Sequence, residues 1–185
     1  RKHMTNVTIA VTGSIAAYKA CDIVSELGKL GFNVTVLMTE AAQQFITPLT
    51  LQVLSKNPVH TSVMSEDRPD VVNHIELGKQ TDLFLVAPAS ADTIARLSHG
   101  HANDIVCAVA LALPAHVIKM IAPAMNTNMY EHPLTQTNLN TLKTIGYQEI
   151  EPKTSLLACG DLGKGALATV DDIVQIVQDA LLDIT

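Results

Sequence analysis

Four short apolar runs alternate with segments of helical periodicity, and this alternation limits the fold of the chain more than any other feature. The runs have the length and aliphatic composition of buried β-strands, and they cover residues 7–11, 33–39, 82–90 and 115–125. Parallel strands need long crossover connections, which are usually helices. The pattern therefore predicts an α/β fold with a doubly wound parallel sheet.

The segments between the runs predict the helices that cover such a sheet. Apolar residues recur at helical spacing from Ile15 to Leu30, and Gly31 ends that segment. Pro48 divides a second helical segment, and Gly100 interrupts a third. The predicted helices cover residues 15–30, 40–56, 91–113, 128–146 and 173–184. Together with the strands, they predict a Rossmann-like (flavodoxin-like) sheet with helices on both faces.

The composition narrows the classes of partner. The formal net charge is −6, whereas nonspecific nucleic-acid binding needs a basic face. No apolar run reaches about 18 residues, so we expect no membrane span. Cys21, Cys107 and Cys159 lack the spacing of metal ligands and indicate free thiols in a reducing, cytoplasmic compartment. His99 and His101 do not share a helical face, so no metal site is predicted.

The segments that directly follow predicted strands are candidates for a binding site, since doubly wound sheets bind ligands at the carboxyl ends of their strands. The first is "GSIAAYK", residues 13–19. N–H groups at a helix start attract phosphate, and the absence of a GxGxxG pattern favours a mononucleotide over a dinucleotide. Ser14 could instead be a plain helix cap. Thr39, after the second strand, could reach the same ligand or cap the next helix.

Two further segments follow predicted strands and carry polar groups. In "PASADTIARLSHGHANDI", residues 88–105, small side chains allow close backbone approach. Ser90, Asp92 and Thr93 offer hydrogen bonds at a helix start there, which suits a flat polar ring edge such as an isoalloxazine. In "APAMNTNMY", residues 122–130, Asn126 could donate two hydrogen bonds to a carboxylate, or it could cap a helix.

His74 and Cys159 are the candidates for proton transfer. His74 lies between apolar residues in "VVNHIELGK", where both a structural histidine and a base near neutral pH are consistent with the sequence. Cys159 lies in "LLACGDLGKGALA", residues 156–168, among three glycines that would let the segment close over a ligand. An incidental thiol in a turn is the alternative. Cys21 and Cys107 lie on apolar helical faces and are expected to pack in the core.

Taken together and in this order, five segments make the chain resemble the flavin-containing cysteine decarboxylases. The segments are "GSIAAYK", "NHIELGK", "PASADTIARLSHGHANDI", "PAMNTNMY" and "ACGDLGKGA", and the resemblance runs from about Val7 to the C-terminal helix. The first and third segments also occur in related flavin proteins. The set that distinguishes the cysteine decarboxylases from those proteins is "PAMN" together with the histidine and the cysteine segment. We expect residues 5–185 to form a single flavoprotein domain. Residues 1–4 are interpreted as an extension left by expression, with Met4 as the natural start.

The resemblance implies FMN as the cofactor and assigns its contacts. The family usually has Asn where this chain has Asp92, and often Trp where it has Tyr130. The residues implied to bind FMN are Gly13, Ser14, Ile15, Thr39, Ser90, Ala91, Asp92, Thr93 and Ala124.

The resemblance further implies the decarboxylation of 4′-phosphopantothenoylcysteine to 4′-phosphopantetheine in coenzyme A biosynthesis. Oxidation of the substrate CH₂–SH to a thioaldehyde, with hydride passing to FMN, would create an electron sink β to the carboxylate. His74 would act as the base or orient the substrate, and Asn126 would hold the carboxylate. Cys159 would protonate the enethiolate that remains after CO₂ has left.

Asn126, Ala158 and Lys164 are the implied substrate-binding residues. The family often has Gly-Arg where this chain has Gly165-Ala166. If a basic residue must meet the substrate phosphate, Lys164 is the nearest substitute in the sequence.

Two alternatives stay open at this point, because relatives on the same fold include peptidyl-cysteine decarboxylases and non-catalytic regulatory flavoproteins. The presence of His74, Asn126 and Cys159 in one chain favours an enzyme, and "ACGDLGKGA" favours the pantothenoyl substrate. The resemblance also implies a homotrimer, or a dodecamer built from trimers, with the flavin site at a subunit boundary.

Overall fold

A parallel sheet and a separate hairpin contain the strands of the protein. The computed structural model describes residues 4–66, 69–70, 72–156, 160 and 162–183. Its strands are β1 (Asn6–Val11), β2 (Asn33–Met38), β3 (Val59–His60), β4 (Leu83–Ala89), β5 (Ile118–Pro123), β6 (Tyr147–Glu149), β7 (Lys153–Leu156) and β8 (Leu162–Ala166). The first six form one parallel sheet in the order β3-β2-β1-β4-β5-β6, whereas β7 and β8 pair antiparallel outside it.

Helices connect the strands of the sheet. They are α1 (Lys19–Lys29), α2 (Pro48–Ser55), α3 (Asn73–Gln80), α4 (Ala91–Ser98), α5 (Ile105–Ala112), α6 (Thr127–Glu131), α7 (Pro133–Thr144) and α8 (Val170–Leu182). Two short 3₁₀ helices, Ile15–Tyr18 and Ala42–Gln44, follow β1 and β2. Within the described ranges, no helix is both long and apolar enough to cross a lipid bilayer.

The two faces of the sheet are covered by different helices, because side chains along a strand alternate in direction. Ile9 and Leu85 pack on the face covered by α1, α2 and α8, whereas Ala10, Phe84 and Val86 pack on the face covered by α3–α7. All five are fully buried. Both faces of these strands are therefore apolar, which explains their continuous apolar runs. The doubly wound arrangement predicted from the sequence is confirmed.

The four predicted strands are confirmed with small shifts at their ends, and Pro48 begins α2 as predicted. The single helix predicted over residues 128–146 is wrong. It is divided at His132, which has φ −58° and ψ 135°, directly before Pro133. A proline disfavours the helical conformation of the preceding residue and provides no N–H to the helix, but it fits the first position of a new one.

Five elements lie outside the sequence-based predictions: β3, α3, β6, β7 and β8. The four strands are only two to five residues long, so an alternating pattern has too little length to show. Helix α3 begins without a side-chain cap and spans eight residues. Local sequence signals for these elements are weak, and long-range pairing and packing determine them.

Candidate active site

A cavity of about 540 Å³ lies between the loops that follow β1, β4 and β5 and the β7–β8 hairpin. Its volume is within the ~300–1,000 Å³ typical of small-molecule sites. The strand order reverses between β1 and β4, and doubly wound sheets bind ligands at the carboxyl ends of the strands where this reversal occurs. The cavity therefore lies where the topology predicts a ligand site.

The loop after β1 forms the first wall, with Gly13, Ser14 and Ile15. A Cβ atom at position 13 would lie 2.6 Å from the Cβ of Ala41, so the close packing of this loop requires glycine. The Ser14 Oγ accepts a hydrogen bond from the Ala16 N–H at 3.1 Å and caps the 3₁₀ helix that follows. Ser14 is therefore a helix cap and a cavity residue at once.

Thr39 does not line the cavity, because its Oγ1 accepts a hydrogen bond from the Ala42 N–H at 3.1 Å instead. Thr12, a residue without a predicted role, connects the first two walls. Its buried hydroxyl donates to the Pro88 carbonyl at 2.6 Å and accepts from the Ser90 N–H at 2.9 Å. The sequence signal that could have identified Thr12 is its hydroxyl side chain at the end of an apolar strand.

The loop after β4 forms the second wall, with Ser90 and Ala91. The Ser90 Oγ caps α4 by accepting a hydrogen bond from the Thr93 N–H at 3.2 Å. Thr93 is buried behind this wall, and Asp92 accepts a hydrogen bond from the Arg96 Nε at 3.0 Å. Neither Asp92 nor Thr93 lines the cavity, although both are predicted FMN contacts. Successive helical positions point in different directions, so four consecutive residues cannot all face one ligand.

The loop after β5 forms the third wall, which includes Ala124 and Asn126. The Ala124 N–H donates to the Ala89 carbonyl at 3.1 Å and so joins this loop to the second wall. The Asn126 Oδ1 caps α6 by accepting a hydrogen bond from the Asn128 N–H at 2.8 Å. Asn126 therefore lies on the cavity wall with its amide oxygen held at the helix start.

The β7–β8 hairpin forms the fourth wall and packs closely on the loop after β5. The Met125 N–H donates to the Gly165 carbonyl at 2.8 Å. A Cβ atom at Gly165 would overlap the Met125 carbonyl, and one at Gly163 would overlap the Thr127 side chain. These two glycines therefore allow β8 to contact the segment that carries Asn126.

Lys164, the predicted contact of the substrate phosphate, does not line the cavity. Its Nζ donates to the Glu151 Oε2 at 2.9 Å and lies 5.8 Å from the ring centroid of Tyr130. The hydrogen bond and the charge of Lys164 lower the pKa of the Glu151 carboxyl. On the neighbouring strand, Lys153 does line the cavity.

Comparison with known proteins agrees with this geometry. A family model described as Flavoprotein matches residues 1–182. The chain belongs to the flavoprotein family. Over 175 residues the chain is 63% identical to a probable phosphopantothenoylcysteine decarboxylase of Streptococcus mutans. This match covers 95% of this flavoprotein and 98% of the relative. It is 44% identical over 173 residues to a coenzyme A biosynthesis bifunctional protein of Bacillus subtilis, a match that covers 94% of this chain and 42% of that protein.

Solved structures share the fold of this flavoprotein. A mutant PPC decarboxylase complexed with pantothenoylaminoethenethiol has a TM-score of 0.82 at 28% identity, over 95% of this chain and 97% of that one. The FMN binding protein AtHal3 has a TM-score of 0.81 at 28% identity, over 95% and 96% of the two chains. The cavity fits a flavin, since Gly13, Ala91 and Ala124 allow close approach to backbone and the capped helix starts suit a phosphate.

The flavoprotein's predicted catalytic residues are not all placed in this cavity. His74 is the second residue of α3 and does not line the cavity of its own chain. Its side chain is half-buried, and its Nδ1 atom is buried with no hydrogen-bond partner in the part of the chain that the structure describes. Cys159 and Ala158 lie outside the described residues.

The other two thiols of the flavoprotein belong to its core. Cys107 is buried in α5, where desolvation and the neighbouring Asp104 raise the pKa of its thiol to about 12. Cys21 is half-buried in α1, and desolvation followed by the charge of Asp22 raises its pKa. A raised thiol pKa keeps the sulfur protonated and unreactive, as expected for structural cysteines.

Proposed function

We propose that this flavoprotein catalyses the FMN-dependent decarboxylation of 4′-phosphopantothenoylcysteine to 4′-phosphopantetheine, a carboxy-lyase reaction of coenzyme A biosynthesis. The observation that carries the proposal is the position of Asn126. This amide donor lies on the wall of a flavin-sized cavity, beside the hairpin whose connection contains Cys159. The 63% identity to a probable phosphopantothenoylcysteine decarboxylase supports the choice of substrate.

FMN is the proposed cofactor. When bound, it would supply a reversible hydride acceptor, and thereby the electron sink that an ordinary amino-acid carboxylate lacks. The N–H groups at the Ser14-capped helix start would meet the phosphate. Thr39 supports its loop by accepting a hydrogen bond from the Ala42 N–H, and the Thr93 N–H donates to the Ser90 Oγ. Asp92 faces solvent. The residues that would hold the flavin directly are Gly13, Ser14, Ile15, Ser90, Ala91 and Ala124.

Asn126 would bind the substrate carboxylate through its NH₂ group and orient it for loss as CO₂. The capping hydrogen bond to the Asn128 N–H holds the amide before the substrate arrives. A donor held in place in advance contributes more to catalysis than one that must be ordered on binding.

Two proton transfers complete the proposed reaction. As the substrate CH₂–SH becomes a thioaldehyde, its carbon loses a hydride and its sulfur loses a proton. His74 would accept that proton or orient the substrate, since an imidazole changes charge near neutral pH. After the C–CO₂ bond breaks, the remaining carbon skeleton takes back a hydride and one proton. The Cys159 thiol would donate that proton to carbon, and the product sulfur would regain the proton that His74 had accepted. Because the hydride is returned as well, no net redox change remains.

A homotrimer, or a dodecamer built from trimers, is the proposed assembly. Because His74 does not line the cavity of its own chain, a site that uses both His74 and Asn126 needs a second copy to supply one of them. Several large apolar side chains at the cavity are also at least half exposed, which is typical of an interaction surface. They include Ile15 at 63%, Phe45 at 51% and Leu156 at 71% exposure. Sedimentation at several protein concentrations tests this assembly, and a stable monomer with full activity would contradict it.

A cytoplasmic location and a single domain over residues 5–185 complete the proposal. The free thiols of Cys21 and Cys107 are consistent with a reducing compartment. The two core clusters lie on opposite faces of the same sheet, which supports one folding unit. A single cooperative unfolding transition, followed by circular dichroism and by flavin release, would agree with one domain.

The decisive experiment gives the purified flavin-loaded protein either 4′-phosphopantothenoylcysteine or a peptide that ends in cysteine. We expect CO₂ and the corresponding mass loss from the first substrate only. Turnover of the peptide alone would favour a peptidyl-cysteine decarboxylase, and turnover of neither would favour a regulatory flavoprotein. In the enzyme, Asn126→Ala should lower kcat about a hundredfold, because the carboxylate loses its orientation. Asn128→Ala is the matched control, since the capping bond uses its backbone N–H.

A further inference from the structure

The charged residues that the structure describes at the active-site cavity are both lysines. Among its described lining residues, Lys19 and Lys153 carry charge and no carboxylate is present, although the whole chain has a formal net charge of −6. The described part of the cavity lining is therefore positive in a protein of negative net charge. Two separated cations in an otherwise neutral described lining indicate a ligand set with more than one anionic group.

The two lysines lie on different walls. Lys19 begins α1, directly after the 3₁₀ helix that Ser14 caps, and its Nζ lies 5.9 Å from the ring centroid of Tyr18. This wall carries the helix-start N–H groups that suit the flavin phosphate. Lys153 begins β7 on the hairpin, outside the parallel sheet. The two cations thus belong to separate parts of the site, and an anion at Lys153 is distinct from one at the first wall.

The register of the hairpin places Lys153 opposite Ala166, which also lines the cavity. Ala166 has a short side chain, so it leaves room beside the lysine. Ser155, two residues further along β7, lines the same cavity, as expected for alternating side chains on one face of a strand. The hairpin therefore presents Lys153 and Ser155 together to the ligand.

Lys164 on β8 provides the contrast within the same hairpin. Its ammonium group forms an ion pair with Glu151 and does not line the cavity. Lys153 forms no ion pair among residues 4–66, 69–70, 72–156, 160 and 162–183, and it is half-buried. A partly desolvated cation without a carboxylate partner favours an incoming anion, because the anion restores the interactions lost with water.

We infer that Lys153, rather than Lys164, determines specificity for the phosphate monoester of the substrate. This inference rests on the proposed function, in which Asn126 binds the substrate carboxylate and the first wall takes the flavin phosphate. The remaining anionic group is the substrate phosphate, at the opposite end of the molecule from the cysteine.

The test compares 4′-phosphopantothenoylcysteine with pantothenoylcysteine, its unphosphorylated form, on flavin-loaded wild type and variants. Lys153→Met should lower kcat/KM for the phosphorylated substrate about ten- to a hundredfold, mainly through KM, as expected when a hydrogen bond to a charged group is lost. The same variant should leave kcat/KM for the unphosphorylated substrate unchanged. Lys153→Arg should restore most of the preference, since it keeps the charge.

Lys164→Met is the matched control, and we expect it to keep the preference for the phosphorylated substrate. Equal losses for both substrates in Lys153→Met would overturn the inference, and so would no loss for either. A lower FMN affinity in Lys153→Met, measured by flavin fluorescence, would assign the lysine to the cofactor phosphate and overturn it as well. Loss of the preference in Lys164→Met instead would transfer the role to that residue.

A binding measurement separates failure of this inference from failure of the proposed function. If the flavin-loaded wild type decarboxylated neither substrate, calorimetry with 4′-phosphopantetheine and pantetheine would still probe the cavity. Tighter binding of the phosphorylated molecule that disappears in Lys153→Met would support phosphate recognition by this lysine. Equal binding of the two molecules would overturn it.

Discussion

The loops after β1, β4 and β5 and the β7–β8 hairpin line one cavity, but different interactions hold them in place. The three loops leave a sheet that is buried on both faces, and backbone hydrogen bonds and the Thr12 hydroxyl join them to one another. The hairpin lies outside that sheet and contacts the loop after β5 through Gly163 and Gly165. Deeply packed elements open rarely, whereas elements with few buried contacts open more readily. We therefore propose that the loops bind the cofactor and, through Asn126, the substrate carboxylate, whereas the hairpin recognises the rest of the substrate.

The largest expected effect comes from the hairpin connection. Cys159→Ser should lower formation of the final product about 10²- to 10⁴-fold, because the proposed proton donor is lost. The flavin should stay bound, and an oxidised, decarboxylated intermediate should accumulate and be visible by mass spectrometry. Cys21→Ser is the control and should keep full activity, since Cys21 packs at the core. Product formation at the normal rate in Cys159→Ser would remove the proposed role.

A second effect, at the contact between the two regions, should be about a hundredfold. In Gly165→Ala the new Cβ would overlap the Met125 carbonyl and push β8 away from the segment that carries Asn126. Misplacement of catalytic groups by about 1 Å can cost about a hundredfold in rate. We expect kcat/KM to fall by this factor while FMN affinity stays unchanged. Gly28→Ala, where nothing lies within 4 Å, should leave the rate intact.

Equal loss of flavin and activity in Gly165→Ala would contradict the separation of the two regions. It would show that the hairpin is needed to hold the cofactor as well as the substrate.

A third effect concerns the cofactor side alone. Thr12→Val keeps the shape of this buried side chain but leaves the part-buried Ser90 N–H without its partner, which should cost about 1–3 kcal/mol. We expect weaker FMN binding in fluorescence titrations and a lower free energy of unfolding. Thr8→Val is the matched control, because Thr8 is also buried in β1 but pairs with Thr81 near the other end of the strand. We expect Thr8→Val to lower the free energy of unfolding but to leave the FMN affinity of the folded protein unchanged.

The smallest effect is expected at the ion pair on the hairpin. Lys164 lowers the pKa of Glu151 in the folded protein, so this carboxylate stabilises the fold above its unfolded-state pKa. The contribution is lost as the pH falls through the lowered folded-state pKa. Glu151→Gln should therefore lower the Tm slightly at neutral pH and not at all at strongly acidic pH, as thermal scans across this range would show. A larger difference at acidic pH than at neutral pH would contradict this sign.

The comparison of the two regions also shows which predictions the sequence can support. The loops after β1, β4 and β5 follow long apolar strands, so their positions at one edge of the sheet could be predicted. Ser14, Ser90 and Asn126 could be found as hydroxyl or amide residues at helix starts, and all three line the cavity. The sequence could not show that Ser90 lines the cavity while Asp92 and Thr93 do not, because the direction of each side chain depends on where α4 begins.

The hairpin was less predictable for a physical reason. Its strands are short, and their pairing joins residues that are separated along the sequence, such as Lys153 and Ala166. Lys164 is adjacent to the glycines in the sequence, but Glu151 binds its ammonium group. Lys153 lies outside the glycine-rich segment, yet the register brings it to the cavity.

By itself, the sequence determined the alternation of apolar strands and helices, and with it the parallel sheet and the edge at which a ligand binds. These properties follow from local periodicity and from burial of both faces of each strand. Only the tertiary structure decided which lysine of the hairpin faces the cavity and that His74 is absent from the wall of its own chain. Such choices depend on strand register and on packing between distant segments, which no local pattern of residues encodes.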